Sequence, residues 1–136
     1  MVNQSIFKAY DIRGKYPKEI NEKAVAEIVE GLMPYFERKA KSAKRKAIVI
    51  GHDARLSSPQ LYKAVITNLR RSQRLRLVPM GMITTPMLYF FVNKLKAIGG
   101  IMVTASHNPK EFNGLKVVGP KAEMISGETI KKVIHR

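Results

Sequence analysis

Apolar and polar positions along the chain follow two alternating patterns. Ala47 to Ile50, Leu75 to Met80 and Ile101 to Val103 are short apolar runs punctuated by Gly51, Pro79 and the pair Gly99 and Gly100, and they read as buried strands. Elsewhere apolar residues recur at spacings of three and four, the signature of a helix with one buried face. Val25, Ile28, Val29, Leu32, Met33 and Phe36 form the first such stripe, with Asn21 as N-cap and Glu22 in the first turn. Pro34 lies within it and predicts a bend or an end near Met33, because proline removes a donor and crowds the preceding turn. Leu61, Tyr62, Val65, Ile66 and Leu69 form the second stripe, capped by Ser58 with Pro59 at its first position. Met87, Leu88, Phe91 and Leu95 form the third, capped by Thr84 or Thr85 and with Pro86 in the first turn. Ile6 to Tyr10 suits an edge strand that delivers Asp11 and Arg13 to a loop.

Strand, helix, strand, helix, strand at these intervals implies right-handed parallel crossovers. The rule changes after Thr104. About ten residues separate it from the apolar run Leu115 to Val118, too few for a helical crossover, so that strand is predicted antiparallel to its predecessor and the sheet mixed. Ile130, Val133 and Ile134 then mark a final helix starting at Ser126 or Gly127.

The chemistry gathers where the third buried run ends. Thr104, Ser106, Asn108 and Pro109 form a turn cluster just past the C-terminal end of a strand, the edge at which open α/β sheets bind ligands. A serine hydroxyl is a poor nucleophile at neutral pH and needs a base or cation nearby; phosphoryl transfer also needs positive charge around the phosphoryl oxygens. His107 and Lys116 are candidate proton carriers, and Arg13 and Lys116 candidate cations. Each has a plainer reading: Ser106 as a turn residue, His107 as polar surface, Lys116 as a solvent-facing strand position, Arg13 as a brace for the Asp11 loop. For His52, Asp53 and Arg55 the plainer reading is preferred, with Asp53 paired to Arg55 or to a backbone N–H.

Four segments together decide in favour of the chemical reading at Ser106. TASHNP with EFNGLKVV, AYDIRG at Ala9 to Gly14, GHDARLSSP at Gly51 to Pro59 and MITTPM at Met82 to Met87 resemble the α-D-phosphohexomutases, of phosphomannomutase/phosphoglucomutase type, over almost the whole chain. The resemblance implies a three-layer α/β/α domain on a four-stranded mixed sheet with the last strand antiparallel. It implies an intramolecular phosphotransferase in which Ser106, as phosphoserine, exchanges its phosphoryl group with mannose or glucose phosphate through a bisphosphate. Arg13 and Lys116 would line the site, His107 would stand in the catalytic loop, and Thr104, Asn108 and Asn113 would shape it. It also implies Mg²⁺, bound to Ser106 through its phosphate and to an aspartate loop of a second domain. Nothing resembling that loop occurs in this sequence, nor do the sugar-reading and distal phosphate segments of a third and fourth domain. Residues 1 to 136 are therefore expected to be one domain, the first of four, lacking turnover alone and having the other domains and a hexose phosphate as partners.

Composition adds one complication. The chain has 136 residues, 45% hydrophobic and 26% charged, enough for one core, with no cysteine for disulfides or thiolate metal sites. No apolar run approaches the roughly 20 residues that cross a bilayer and no leader pattern is seen, so a cytoplasmic location without membrane contact is expected. The charge, however, is +15, with six basic residues in the nine from Arg38 to Lys46 and four in the seven from Arg70 to Arg76. A non-catalytic basic α/β module binding RNA or another polyanion is the competing reading. No aromatic residues interleave with the clusters, and both lead into strands and so fall opposite Ser106. A solvated basic face is preferred, and nucleic acid is not an expected partner.

Overall fold

The strand β2 (Ala47–His52) is at the centre, and its first four residues have no solvent exposure. In the computed structural model, which describes residues 2–42 and 46–135, β2 pairs in parallel with β3 (Arg76–Met82) on one side and with β4 (Gly99–Val103) on the other. Covered on both faces, β2 is apolar at successive positions rather than at alternate ones. Ile48 and Ile50 face the larger core, filled by α1 (Glu22–Ser42), α2 (Ser58–Leu69) and α4 (Gly127–Ile134). Ala47 and Val49 face a smaller core under α3 (Thr85–Lys94), made with Leu88, Val92, Met102 and Val118. These are the three α/β/α layers expected.

The reversed strand is also as expected: β5 (Phe112–Val118) runs antiparallel to β4. The strand count differs. The sheet has six strands, because β1 (Ile12–Lys15) adds to the free edge of β5, and β6 (Met124–Ile125) also pairs with β5. The edge strand thus falls after Asp11 rather than over Ile6 to Tyr10. Ile6 is buried at the end of a 3-10 turn (Gln4–Ile6), and Phe7 makes a single bridge to Ile12. Arg13 consequently sits on a strand and not in a loop.

Local chemistry explains the helix boundaries. Asn21 caps α1 by accepting from the Ala24 amide at 2.9 Å, and Thr84 caps α3 by accepting from Met87 at 3.2 Å. The helix α1 continues through Pro34 without ending. Pro34 is on the exposed face, as is Glu30 four residues earlier, so the carbonyl left without its helical donor is accessible to water. The residue at the N-cap of α2 is Ser57, and Ser58 is the first helical residue. In α3 the inward face is Leu88 and Val92; Phe91 is half-buried and Met87 is 43% exposed, so the stripe is turned by one position from that expected.

The basic clusters collect at the N-terminal edge of the parallel strands. Arg38, Lys39 and Lys41 near the end of α1, Lys46, and Arg70, Arg71, Arg74 and Arg76 are all exposed there, while Ser106 lies at the opposite edge. Lys44 and Arg45 of the first cluster lie outside the described residues.

One position tests the packing of β1 on β5. A Cβ at Gly114 would lie 1.9 Å from the Ile12 carbonyl oxygen, backbone that cannot move without parting the strands. Gly114→Ala is expected to destabilise the chain by about 3 kcal/mol, read from urea unfolding. A loss below about 0.5 kcal/mol, the range of ordinary surface substitutions, would show that β1 is not held in this register.

Candidate active site

The loop from Thr104 to Glu111 joins β4 to β5, so the pairing of the two strands fixes both of its ends. At the start, the Thr104 amide donates to the Gly114 carbonyl at 2.9 Å, and the Thr104 hydroxyl accepts from the Ser106 amide at 3.0 Å. Ser106 adopts the left-handed conformation, φ 57°, which turns the chain sharply and leaves its side chain on the surface. The Asn108 side chain donates to the Ala105 carbonyl at 2.8 Å, and its backbone amide donates to the same oxygen at 3.1 Å. Thr104 and Asn108 therefore shape the turn around the serine. Ser106 Oγ and the exposed His107 ring have no hydrogen-bond partner among the described residues.

Asp11, which the sequence offered only as the loop that Arg13 could brace, joins Arg13 to Lys116. Asp11, whose side chain is 3% exposed, accepts from Arg13 Nε at 2.7 Å and lies 3.5 Å from Lys116 Nζ. Lys116 pairs with Met102, on the α3 side of the sheet, whereas Leu115 and Val117 enter the larger core. Arg13 pairs with Gly114, two positions from Lys116 and so on the same face. One buried carboxylate against two partly exposed cations leaves a net positive charge at fixed positions, suited to a phosphate. No hydrogen bond or ion pair links Ser106 or His107 to Arg13 or Lys116 among the described residues.

Asn113 acts from beneath. Fully buried, it donates to the Ser57 and Ser58 hydroxyls at 2.8 and 3.0 Å and accepts from the Gly114 amide at 2.8 Å, tying β5 to the start of α2. Arg55 makes the further connection. Its guanidinium bonds to Asp53, as expected, and also reaches the carbonyl oxygens of Ser106, Asn108, Pro109 and Phe112. Cavities of about 270 and 350 Å³ lie nearby, lined in part by Ser57, Lys110 and Glu111 and by Asp53, Thr84 and Met102 respectively. Neither is lined by Ser106, Arg13 or Lys116, so the candidate residues stand on an open edge.

Residues 4–136 match the family model described as phosphoglucomutase/phosphomannomutase, alpha/beta/alpha domain I. The chain belongs to that family. It is 44% identical over 123 residues to "Phosphohexose mutases" of Xanthomonas campestris pv. campestris, covering 90% of this chain and 26% of the relative. It is 39% identical over 136 residues to a phosphomannomutase of Salmonella montevideo, covering 100% of this chain and 28% of the relative. The fold matches a phosphoglucomutase/phosphomannomutase family protein of Burkholderia thailandensis with a TM-score of 0.81 at 33% identity, covering 100% of this chain and 30% of that one. The chain therefore spans between a quarter and a third of the length of these relatives.

Among its described residues, no three acidic or histidine side chains gather as a metal site, and no helix is long and apolar enough to cross a membrane. Asp11 is occupied by Arg13 and Lys116. On its own the donor set does not fit an oxygen cage for Mg²⁺.

Two outcomes follow from Asp11. Asp11→Asn is expected to cost about 2 kcal/mol in urea unfolding, since it removes the charge that two cations share, whereas an unchanged midpoint would mean that solvent holds them as well as Asp11 does. The Tyr89 phenol of α3 is pushed above its usual 10.0, first by burial and then by the charge of Asp11; burial and then Glu123 raise Tyr35, with Arg38 opposing. A neutral phenol favoured by folding contributes stability that is present below the unfolded value and lost as pH rises through the raised one. Stability should therefore fall above about pH 10. In a phenolate absorbance titration, Asp11→Asn should lower the Tyr89 value only in part, because burial is the larger cause.

Proposed function

We propose that this chain is the phosphoserine-bearing domain of a phosphohexomutase that interconverts hexose 1-phosphate and hexose 6-phosphate, with mannose or glucose as the sugar. The observation that carries the reading is a free Ser106 hydroxyl held in a braced turn at the end of β4, next to β5, whose Lys116 shares one carboxylate with Arg13 of the adjoining β1. In this reading Ser106 Oγ carries the phosphoryl group. The O–P bond at Ser106 breaks as a sugar hydroxyl bonds to phosphorus, and the hydroxyl proton passes through His107 or Lys116 to the serine oxygen. The bisphosphate turns over, and its other phosphoryl group returns to Ser106 by the same exchange. Arg13 and Lys116 balance the charge on the phosphoryl oxygens, at positions that Asp11 fixes beforehand. Thr104, Asn108 and Asn113 hold the loop. A bound Mg²⁺ would add positive charge at the phosphate; this chain would offer it the Ser106 phosphate, with the other ligands coming from outside residues 1 to 136.

The open site suits residues that work against other domains, and the chain alone is expected to lack mutase turnover. A second reading draws on the basic edge, where Arg70, Arg71, Arg74 and Arg76 are exposed without an acidic partner among the described residues. There the chain would bind RNA or another polyanion through backbone phosphates.

One sample separates the two. Intact mass of the purified chain should show a single phosphate that is lost in Ser106→Ala, and a chain without phosphate even after incubation with a hexose bisphosphate and Mg²⁺ would count against the mutase reading. RNA binding with a steep salt dependence that survives Ser106→Ala and fails when Arg70, Arg71 and Arg74 are neutralised would favour the second.

A further inference from the structure

We infer that Arg55 is the positioning residue of the serine loop: its guanidinium, and not the loop's own turn residues alone, fixes the backbone that presents Ser106. The role rests on the reading of Ser106 as a phosphoryl carrier, and the bracing itself can be measured without it.

Arg55 lies in the loop after β2, more than fifty residues from the segment it holds. Nη2 donates to the Ser106 carbonyl at 3.0 Å and to the Asn108 carbonyl at 2.7 Å. Nη1 donates to the Pro109 carbonyl at 2.7 Å and to the Phe112 carbonyl at 3.1 Å. A rigid planar fork can reach acceptors on both sides at once; an ammonium on a flexible stem cannot. The four carbonyls converge on one side chain, as in an anion site of reversed sign. Three belong to the serine loop and the fourth to Phe112, the first residue of β5; the Pro109 oxygen also accepts from the Phe112 amide at 3.0 Å.

The fork is itself held. Asp53 Oδ2 accepts from Arg55 Nε at 3.2 Å, and Oδ1 accepts from the Arg55 amide at 3.1 Å and from the Ser58 hydroxyl. Ser58 also accepts from Asn113, which anchors β5. The Arg55 and Asp53 side chains are 13% and 23% exposed, so the pair is shielded and fixed. A closed circuit results: β2 loop, α2 start, β5, serine loop and back to the β2 loop. Arg55 bonds only to backbone oxygens and to Asp53, so it acts on Ser106 through geometry and not by touching a reacting group.

The test is amide exchange and backbone NMR on the 136-residue chain, comparing wild type with Arg55→Gln, Arg55→Lys and Arg55→Ala. In the wild type the Asn108 and Phe112 amides donate to the Ala105 and Pro109 carbonyls and report on the loop. Loss of Arg55 should accelerate their exchange about tenfold or more while amides of β2 and β4 stay protected, as expected when several charge-assisted bonds are lost locally. The Ser106 shifts should also lose their left-handed signature. Lysine should not restore protection, whereas low guanidinium chloride should restore it in Arg55→Ala, a rescue that general weakening of the fold would not permit. If Arg55→Gln does not fold, Arg55→Lys, which keeps the charge facing Asp53, carries the comparison. Exchange within about twofold of wild type in a folded variant would overturn the inference, because the loop would then hold its own shape. Intact mass on the same samples reads the Ser106 phosphate separately. Loop opening without any phosphate on the wild type would leave the bracing in place and remove the carrier reading; phosphate without loop opening would do the reverse.

Discussion

The antiparallel pairing of β4 with β5 is the constraint on which the site depends. It sets Met102 against Lys116 and Val103 against Leu115, so the chain must reverse between Val103 and Leu115 without room for a helical crossover. That turn brings a left-handed residue to the surface and several carbonyls to the Arg55 guanidinium, at the end of strands β2 and β4, which are covered on both faces. The same pairing leaves the other edge of β5 open to β1, and β1 delivers Arg13 two positions from Lys116 on one face. β5 thus joins the strand that leads into the serine turn to the strand that carries Arg13, and itself carries Lys116.

The glycines of this region follow from the same arrangement. At Gly114 the backbones of β5 and β1 approach too closely for any side chain, and a Cβ at Gly127 would meet the Lys8 and Asp11 carbonyl oxygens at 2.2 and 2.6 Å. The second contact is informative because it fixes the start of α4 against the backbone of Asp11, whose carboxylate holds both cations. Electrostatic preorganisation at Asp11 is therefore supported by packing from an element far away in sequence.

How much of this could be read from the sequence depended on the range of the interaction. Ser106 at a strand end, the reversed strand, the cap at Asn21, a cap at Thr84 or Thr85, a last helix from Ser126 or Gly127, and the pairing of Asp53 with Arg55 all rest on neighbours within a few residues, and local pattern revealed them. The link from Asp11 to Lys116 spans most of the chain, and neither helical nor strand periodicity carries such information. Arg55 was hidden for a related reason. Its nearest acceptor, Asp53, accounts for it fully in sequence, while the four carbonyls it also holds are backbone groups with no residue type to announce them. Likewise the unbroken path of α1 through Pro34 was decided by which side of the helix faced water.

The large positive charge divides into two kinds that composition cannot separate. Toward the serine loop three cations are partly buried and tied to acceptors: Arg13 and Lys116 on Asp11, Arg55 on Asp53 and the loop carbonyls. At the opposite edge Arg70, Arg71, Arg74 and Arg76 are exposed side chains without an acidic partner among the described residues. A charge held in place favours one geometry of a bound anion, whereas a solvated one raises the local concentration of any anion. Charge that is few in number and fixed in place is therefore a better indicator of chemistry in this chain than its formal excess of fifteen.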